Sequence, residues 1–359
     1  MVHNILYYIV KEILERTLIR MLICCVIALL FCITGNAKVP YIPKIINYSV
    51  SDYKAGNQNW AVAQGPGGKM YIGNNRGLLA FDGIHWDLVK LPNNLGVRAL
   101  YISKEGRIYV GSFEEFGYFE VDDENDLIYH SLSSSEINVY LNNDEFWTIN
   151  EYKGEIYFQS FGSFFIYDGE KVRKGVSDLP PLYIFTLDDH LYVQFMEGGS
   201  FCRMDDGQFT ELLSKKVLED DVVSVLPFDH QLLLVSARSG CFIYDEVRKK
   251  LSVWNTPANE ILKEGIANRG VMMKDSTFIV GTISNGVVAI NKQGETLWHI
   301  NRENGLINNT VLRVFADNSD NLWVTLDNGI AQIHVNSPIY FYEPLEAQIG
   351  MVHDMVIEK

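Results

Sequence analysis

Short apolar runs separated by polar turns fill most of the chain. Residues 304–333 show the pattern clearly, because an Asn- and Gly-rich lead precedes the apolar run Val311 to Phe315, and two further turns separate the runs LWVT and IAQI. The turns are rich in Gly, Asn and Asp, which accept the backbone angles of tight hairpins. This stretch therefore predicts three short antiparallel strands.

The same pattern occurs seven times along the chain. Each repeat is recognised by an apolar or aromatic residue in its second strand, and these anchors are Tyr71, Tyr109, Tyr157, Tyr192, Leu234, Ile279 and Trp323. Their spacing is roughly the 40 residues expected of propeller blades. A weaker fourth strand follows in several repeats, as in WDLVKL (86–91), LSVWN (251–255) and TLWHI (296–300).

A four-stranded meander cannot bury both of its faces alone, whereas a ring of such sheets buries each sheet against its neighbours. The sequence therefore predicts an all-β fold, namely a seven-bladed β-propeller of four-stranded antiparallel blades over residues 41–345. A β-sandwich with coincidental spacing is the alternative, and seven matches at one period disfavour it. The segment YIPKIINYSV (41–50) is predicted to supply a closing outer strand to the last blade, and ANEILKEG (258–265) a helical turn.

The two ends of the chain carry segments outside this ring. Three basic residues precede the apolar run 21–34, and small residues follow it up to Ala37. This order predicts a signal peptide over 1–37 with cleavage near Ala37, and therefore an exported protein on the periplasmic side of the inner membrane. An uncleaved membrane anchor and a true start at Met21 are the alternatives. Residues 346–359 read as the start of a further repeat, truncated, which indicates the N-terminal portion of a longer protein or a truncated reading frame.

Charge and cysteine content exclude several partners. The net charge is −15, which disfavours direct contact with nucleic acid, because phosphate binding needs clustered Lys and Arg. No Cys/His spacing of a zinc site is present. Cys202 and Cys241 lie at different offsets of neighbouring repeats, so we expect two buried free thiols rather than a disulfide.

Catalytic motifs are absent from the sequence. It contains no HExxH, GxSxG or GKS/T stretch, and most of its paired acids lie at predicted turns, where solvated carboxylates are common. Glu114 and Glu115 are the exception, because their loop is rich in aromatic residues. The stretch AINKQGETLW (289–298) resembles a quinoprotein repeat, but only in one blade, so no cofactor is expected. We predict a non-catalytic protein.

Propeller topology indicates where a ligand would bind. The first strand of each blade lines the central channel, and its start lies on the same face as the loop between strands two and three. We predict ligand-binding residues at the strand starts, namely Asn59, Trp60, Arg98, Trp147 and Arg269, with Tyr183 at an equivalent point. In the loops the predicted residues are Asn74, Arg76, Glu114, Glu115 and Arg238, with Asn75 beside them.

These residue types suit a small polar or oligosaccharide ligand, because a ring packs on the apolar face of a sugar while amides and charged groups bind its hydroxyls. Packing between blades is the alternative for any single aromatic residue. Arg98 and Arg269 must find a carboxylate, a carbonyl or a ligand, because a guanidinium stays charged.

The stretch 304–330 resembles the repeat of two-component regulator propellers. Gly305, Leu306, Asp317, Trp323 and Gly329 fill its pattern, whereas Asn321 and Thr325 stand where that repeat has Gly. Residues 73–83 and 113–119 are similar to the opening blades of Bacteroidetes sensors.

The resemblance implies a signal peptide, a periplasmic sensing propeller, a triple-tyrosine domain, a membrane helix, and a histidine kinase or LuxR-type helix-turn-helix output. It also implies a glycan-derived ligand, a membrane link through the N-terminal segment or a C-terminal helix beyond this sequence, and a possible homodimer. An envelope protein–protein interaction propeller and a lyase or glycosidase acting near Glu114 and Glu115 are the alternative functions.

Overall fold

Seven antiparallel sheets follow one another along the chain. The computed structural model describes residues 42–122, 126–196, 199–205, 207–337 and 340–341. Six sheets have four strands in sequence order and one has five, so the predicted seven-bladed β-propeller is confirmed. The predicted signal peptide or anchor at 1–37 and the predicted further repeat at 346–359 lie outside the described residues.

Blades 1 to 6 are four-stranded meanders. Blade 1 contains Asn59–Gln64, Met70–Asn74, Gly77–Phe81 and Trp86–Val89. Blade 2 contains Ala99–Ile102, Ile108–Gly111, Phe116–Val121 and Leu127–Ser131. Blade 3 contains Phe146–Tyr152, Glu155–Ser160, Phe164–Tyr167 and Val172–Lys174. Blade 4 contains Pro181–Leu187, His190–Phe195, Phe201–Asp205 and Gln208–Leu213. Blade 5 contains Val222–Phe228, Gln231–Ser236, Gly240–Asp245 and Lys250–Val253. Blade 6 contains Ala267–Met272, Phe278–Thr282, Val287–Ile290 and Thr296–Ile300.

Blade 7 combines strands from both ends of the propeller. Its first three strands are Val311–Ala316, Leu322–Leu326 and Ile330–His334. The fourth is Ile42–Tyr48, which runs antiparallel to Ile330–His334, and the short strand Tyr340–Phe341 pairs with the start of Ile42–Tyr48. The prediction of a closing strand from residues 41–50 is therefore confirmed. This pairing removes the free edge that an open ring would leave.

Apolar side chains fill the gaps between blades. Seven clusters of buried residues are found in the described part of the chain, and each draws on two neighbouring blades. All seven strand-two anchors are buried, and the most exposed of them, Tyr71, exposes 6% of its surface. Cys202 and Cys241 are both buried and free, as predicted.

In the described residues, three short α-helices join the strands, Val50–Tyr53, Ser135–Asn138 and Ala258–Gly265. The last confirms the helical turn predicted at 258–265. Its residues Ala258 and Leu262, one turn apart, are fully buried in the cluster between blades 5 and 6. None of the helices in the described residues is long and apolar enough to cross a membrane.

Two glycines allow the third strands of blades 1 and 6 to begin close to the fourth strands. Gly77 has φ +137° and Gly286 has φ +70°, both in the region that favours glycine. A Cβ atom on Gly77 would lie 2.4 Å from the Val89 carbonyl oxygen, and one on Gly286 would lie 2.2 Å from that of Ile300. Any other residue at these positions would push the strands apart.

Candidate functional site

A β-bulge near the start of the first strand recurs around the ring. In six blades the register with the second strand shifts directly after Asn59, Phe146, Pro181, Val222, Ala267 and Val311. In blade 2, Arg98 occupies the equivalent position, and its N–H donates to the Gly111 carbonyl at 2.8 Å. Bulges at the rims of barrels and near functional sites re-aim side chains. Here they turn residues from different blades toward one point.

These first strands surround a cavity of about 190 Å³. Its aromatic lining consists of Trp60, Trp147, Phe161 and Tyr183. Its charged lining consists of Arg98, Arg269 and Arg313. Asn268, Ile283 and Leu312 complete it. Because six of the seven blades contribute, the cavity lies at the mouth of the central channel; we call it the channel cavity.

The aromatic side chains form a continuous arc along the channel cavity. The Trp60 and Trp147 rings meet edge to face with centroids 5.6 Å apart. Trp147 then stacks on Phe161 at 5.3 Å, and Phe161 meets Tyr183 edge to face at 6.2 Å. All four rings are half-buried, so each keeps a surface toward the cavity. Such an arc provides flat apolar surfaces for a ring-bearing ligand.

Arg98 is fixed by several contacts at once. Its guanidinium carbon lies 4.1 Å from the centroid of the Trp60 ring. Its Nε donates to Glu145 Oε1 at 2.6 Å, and its Nη1 donates to Asn75 Oδ1 at 3.1 Å. The same Asn75 oxygen accepts from Trp60 Nε1 at 2.6 Å. Of the three kinds of partner expected for Arg98, the structure supplies a carboxylate, that of Glu145, and these contacts fix the side chain in place.

Arg269 and Arg313 lie in neighbouring blades, and their positive charges are less well compensated than that of Arg98. Arg269 stacks on the Tyr183 ring at 4.2 Å, and its Nη1 donates to the carbonyls of Asn268 at 3.1 Å and Val223 at 3.3 Å. The Arg313 side chain has no hydrogen bond or ion pair with any described residue. Burial, and then the charge of Arg269, lower the pKa of Arg313 to about 10. Arg313 therefore stays cationic at neutral pH.

Four of the ten predicted ligand-binding residues come together in the channel cavity: Trp60, Arg98, Trp147 and Arg269. Asn59 and Asn74 are instead fully buried beside it. Asn74 Nδ2 donates to Asn59 Oδ1 at 2.8 Å, and Asn59 Nδ2 donates to the Gly329 carbonyl at 3.0 Å. These two amides therefore tie blade 1 to blade 7.

The other four predicted residues do not line the channel cavity. Arg76, Glu114 and Arg238 are exposed. Glu114 has φ +49° and accepts the Asn143 N–H at 2.8 Å, which fixes its loop. Glu115 accepts from Tyr129 Oη and Ser131 Oγ, both at 2.7 Å. Ligand binding by any of the ten residues stays a prediction.

Half of the cavity lining was not predicted from the sequence. The missed residues are Phe161, Asn268, Ile283, Leu312 and Arg313. Arg313 occupies the position in blade 7 that the predicted Arg269 occupies in blade 6, directly after the bulge, and strand pairing rather than the sequence alone sets this equivalence. The other four are ordinary loop or strand residues, and only the ring geometry brings them to the channel.

A larger groove of about 730 Å³ lies between blades 1 and 2, on the face of the strand-one to strand-two turns. Its arginine is already engaged, because Arg107 pairs with Glu120 and stacks over Tyr118 at 4.4 Å. No group of three or more His, Cys, Asp or Glu residues in the described ranges could hold a metal ion. The channel cavity is the better candidate because rings and uncompensated charge converge there.

Comparison with known proteins identifies the fold. No protein-family model matches the chain, and no curated protein matches it. The extracellular domain of the hybrid two component system BT4673 from B. thetaiotaomicron matches with a TM-score of 0.66 at 18% identity, covering 82% of this chain and 40% of that chain. The extracellular domain of BT3049 from the same organism matches with a TM-score of 0.60 at 13% identity, covering 82% of this chain and 42% of that chain.

An enzyme has the same fold. Virginiamycin B lyase from Staphylococcus aureus, in a catalytically inactive form with quinupristin, matches with a TM-score of 0.63 at 13% identity, covering 80% of this chain and 98% of that chain. At these identities the likeness shows the fold alone. The chain spans about two fifths of the two B. thetaiotaomicron extracellular domains. It has the propeller fold of these domains, in agreement with the resemblance seen in its repeat.

Proposed function

We propose that this chain is the ligand-sensing propeller of an exported signal-transduction receptor, and that it binds a polar, ring-bearing ligand in the channel cavity. One observation carries the proposal. The starts of three first strands, two of them bulged, bring Trp60, Arg98 and Trp147 into one cavity, where Arg98 is already fixed by Glu145. Rings beside oriented charged donors are the usual composition of a site for small polar ligands.

The neighbouring structures support the sensing role. Two of them are extracellular domains of hybrid two component systems, which also supports export. The apolar run 21–34 with small residues up to Ala37 supports the same location, as a signal peptide or an anchor. The output that would follow such a domain is a histidine kinase or a LuxR-type helix-turn-helix module, as the repeat resemblance implies.

A non-catalytic role fits the composition of the channel cavity. Its described lining contains no Asp, Glu or His, the side chains that most often perform proton transfer. Glu114 and Glu115 hold loops through hydrogen bonds rather than facing each other across a cleft. The fold shared with a lyase makes a direct assay necessary. Polysaccharides incubated with the protein should release no new reducing ends. Release by the wild type that is lost in Glu115→Gln would contradict this expectation.

Titration calorimetry with a panel of oligosaccharides tests the binding role. Trp147→Ala should weaken binding about tenfold, since a stacked ring contributes roughly 1 kcal/mol beyond its buried area. Trp298→Ala is the matched control, because Trp298 is also half-buried and lies outside the channel cavity. Equal affinities of Trp147→Ala and the wild type would remove the channel cavity as the site.

A second candidate function is protein association at blade 3 and the connections that flank it. Val139, Tyr140 and Val176 are 75%, 51% and 86% exposed beside a groove of about 760 Å³. Exposed apolar groups of this kind mark interaction surfaces. The expected partner at this surface is a second copy of this chain. Sedimentation of the wild type as a dimer and of Val176→Asp as a monomer would favour this function.

A further inference from the structure

The channel cavity carries an unusual charge. Three arginines line it, and the described lining contains no carboxylate. The nearby carboxylate of Glu145 is already bound to Arg98. This cationic site lies in a chain whose net charge is −15. A charge of one sign within low-dielectric walls concentrates ions of the opposite sign.

Arg269 and Arg313 occupy equivalent positions in adjacent blades. Each follows the bulge of its first strand, with Arg269 opposite Gly281 and Arg313 opposite Thr325 in the second strand. The repeat therefore presents two guanidinium groups side by side on one wall of the cavity. Their mutual repulsion is evident, because the charge of Arg269 contributes to the lowered pKa of Arg313.

Two half-buried cations without a carboxylate are unfavourable unless an anion joins them. Arg269 compensates in part through two carbonyl oxygens, whereas Arg313 has no partner among the described residues. Guanidinium groups bind carboxylate and sulfate through paired N–H donors. Tyr183, beneath Arg269, would hold the ring that carries such a group.

We infer that Arg269 and Arg313 form an anion-binding site, and that the ligand is an acidic sugar bearing a carboxylate or a sulfate. This inference rests on the proposed sensing function and adds the chemical class of its ligand. Arg98, already paired with Glu145, orients the ring of the ligand rather than its charge.

Calorimetry with three disaccharides tests the inference: a uronic acid disaccharide, a sulfated one and a neutral one. The wild type should bind one of the acidic sugars at least tenfold more tightly than the neutral one. Arg313→Gln should remove that preference, while Arg302→Gln, an exposed arginine outside the cavity, should retain it. Which acidic sugar binds identifies the carboxylate or the sulfate as the natural group.

Two other outcomes separate the inference from the function on which it rests. The wild type and Arg313→Gln could bind a neutral sugar equally well, with the affinity lost in Trp147→Ala. That result would overturn the anion-binding site and keep the sensing site. No binding of any sugar by the wild type would overturn the proposed function.

Sodium sulfate gives a readout that needs no sugar. Compared with sodium chloride at equal ionic strength, millimolar sulfate should raise the Tm of the wild type more than that of Arg313→Gln. Equal shifts of Tm in the two proteins would overturn the anion-binding site.

Discussion

Arg98 of blade 2 lies over the indole of Trp60 of blade 1 while its Nε is bound to Glu145, just before blade 3. One side chain therefore links three consecutive parts of the ring at the mouth of the channel. The contacts are of two kinds, an ion pair with about a quarter of each side chain exposed and a cation–π contact. Such an arrangement couples the shape of the cavity to the packing of the blades.

Replacement of Arg98 by Ala should destabilise the propeller by about 1–2 kcal/mol, because Glu145 loses its partner and Trp60 its cation. Arg98→Lys should fall in between, since an ammonium keeps the charge but not the planar stacking. Urea denaturation of the two variants and the wild type measures both effects. If Arg98→Ala were as stable as the wild type, the ion pair would make no contribution to the free energy of unfolding.

The closing strand should be essential to the stability of the ring. Ile45 packs against the cluster between blades 6 and 7, so Ile45→Asp should cost about 2 kcal/mol or more of unfolding free energy. Lys44→Asp is the matched control, because Lys44 is exposed on the same strand and receives the same new side chain. Thermal unfolding of the pair distinguishes burial from strand propensity. Equal losses in both variants would contradict the role assigned to Ile45.

Stability should fall in mildly acidic solution through His334. Burial, and then the charge of Lys44, lower the pKa of His334 from its ordinary 6.5, and its Nε2 is buried without a described partner. The unfolded chain then binds a proton that the folded chain does not, so this contribution is complete above pH 6.5 and is lost as the pH falls through the window below it. His334→Gln should flatten the dependence of the urea midpoint on pH between 7.5 and 5. An unchanged slope would assign the effect to other groups.

Cys241 should be chemically inert in the folded protein. Complete burial raises the pKa of its thiol to about 12, so almost no thiolate forms near neutral pH. Iodoacetamide followed by peptide mapping should find Cys241 unmodified in the native protein and fully modified after denaturation in guanidinium. Modification of native Cys241 at a rate close to that in denaturant would mean that blade 5 opens readily.

The blade pattern was visible in the sequence because each second strand repeats one buried residue, from Tyr71 to Trp323, at spacings of 35 to 48 residues. The closing strand 42–48 was also predictable, since its apolar character had no partner elsewhere. The aromatic part of the cavity followed from topology, which places Trp60 and Trp147 at the starts of first strands.

Residue roles within the site were harder to predict. Asn59 has the polarity of a ligand contact, yet its amide binds Gly329 across the ring closure, a contact between residues 270 positions apart. Arg313 was hidden inside an apolar run, because a bulge changes which face a strand residue occupies and depends on pairing with another strand. The type of a residue therefore indicates its contacts only after the register of its strand is known.

The strand from the start of the propeller pairs with the last blade, and Tyr48 bonds Gln332 across 284 residues of sequence. That contact sets an order of events during folding. Blades 1 to 6 each join strands that are near neighbours in the chain, whereas the seventh must wait until nearly the whole propeller has been synthesised. Closure over so long a loop is slow relative to local hairpins. Until it occurs, the ring stays open between blades 7 and 1, so the channel cavity, which both blades line, should be among the last features of the described propeller to form.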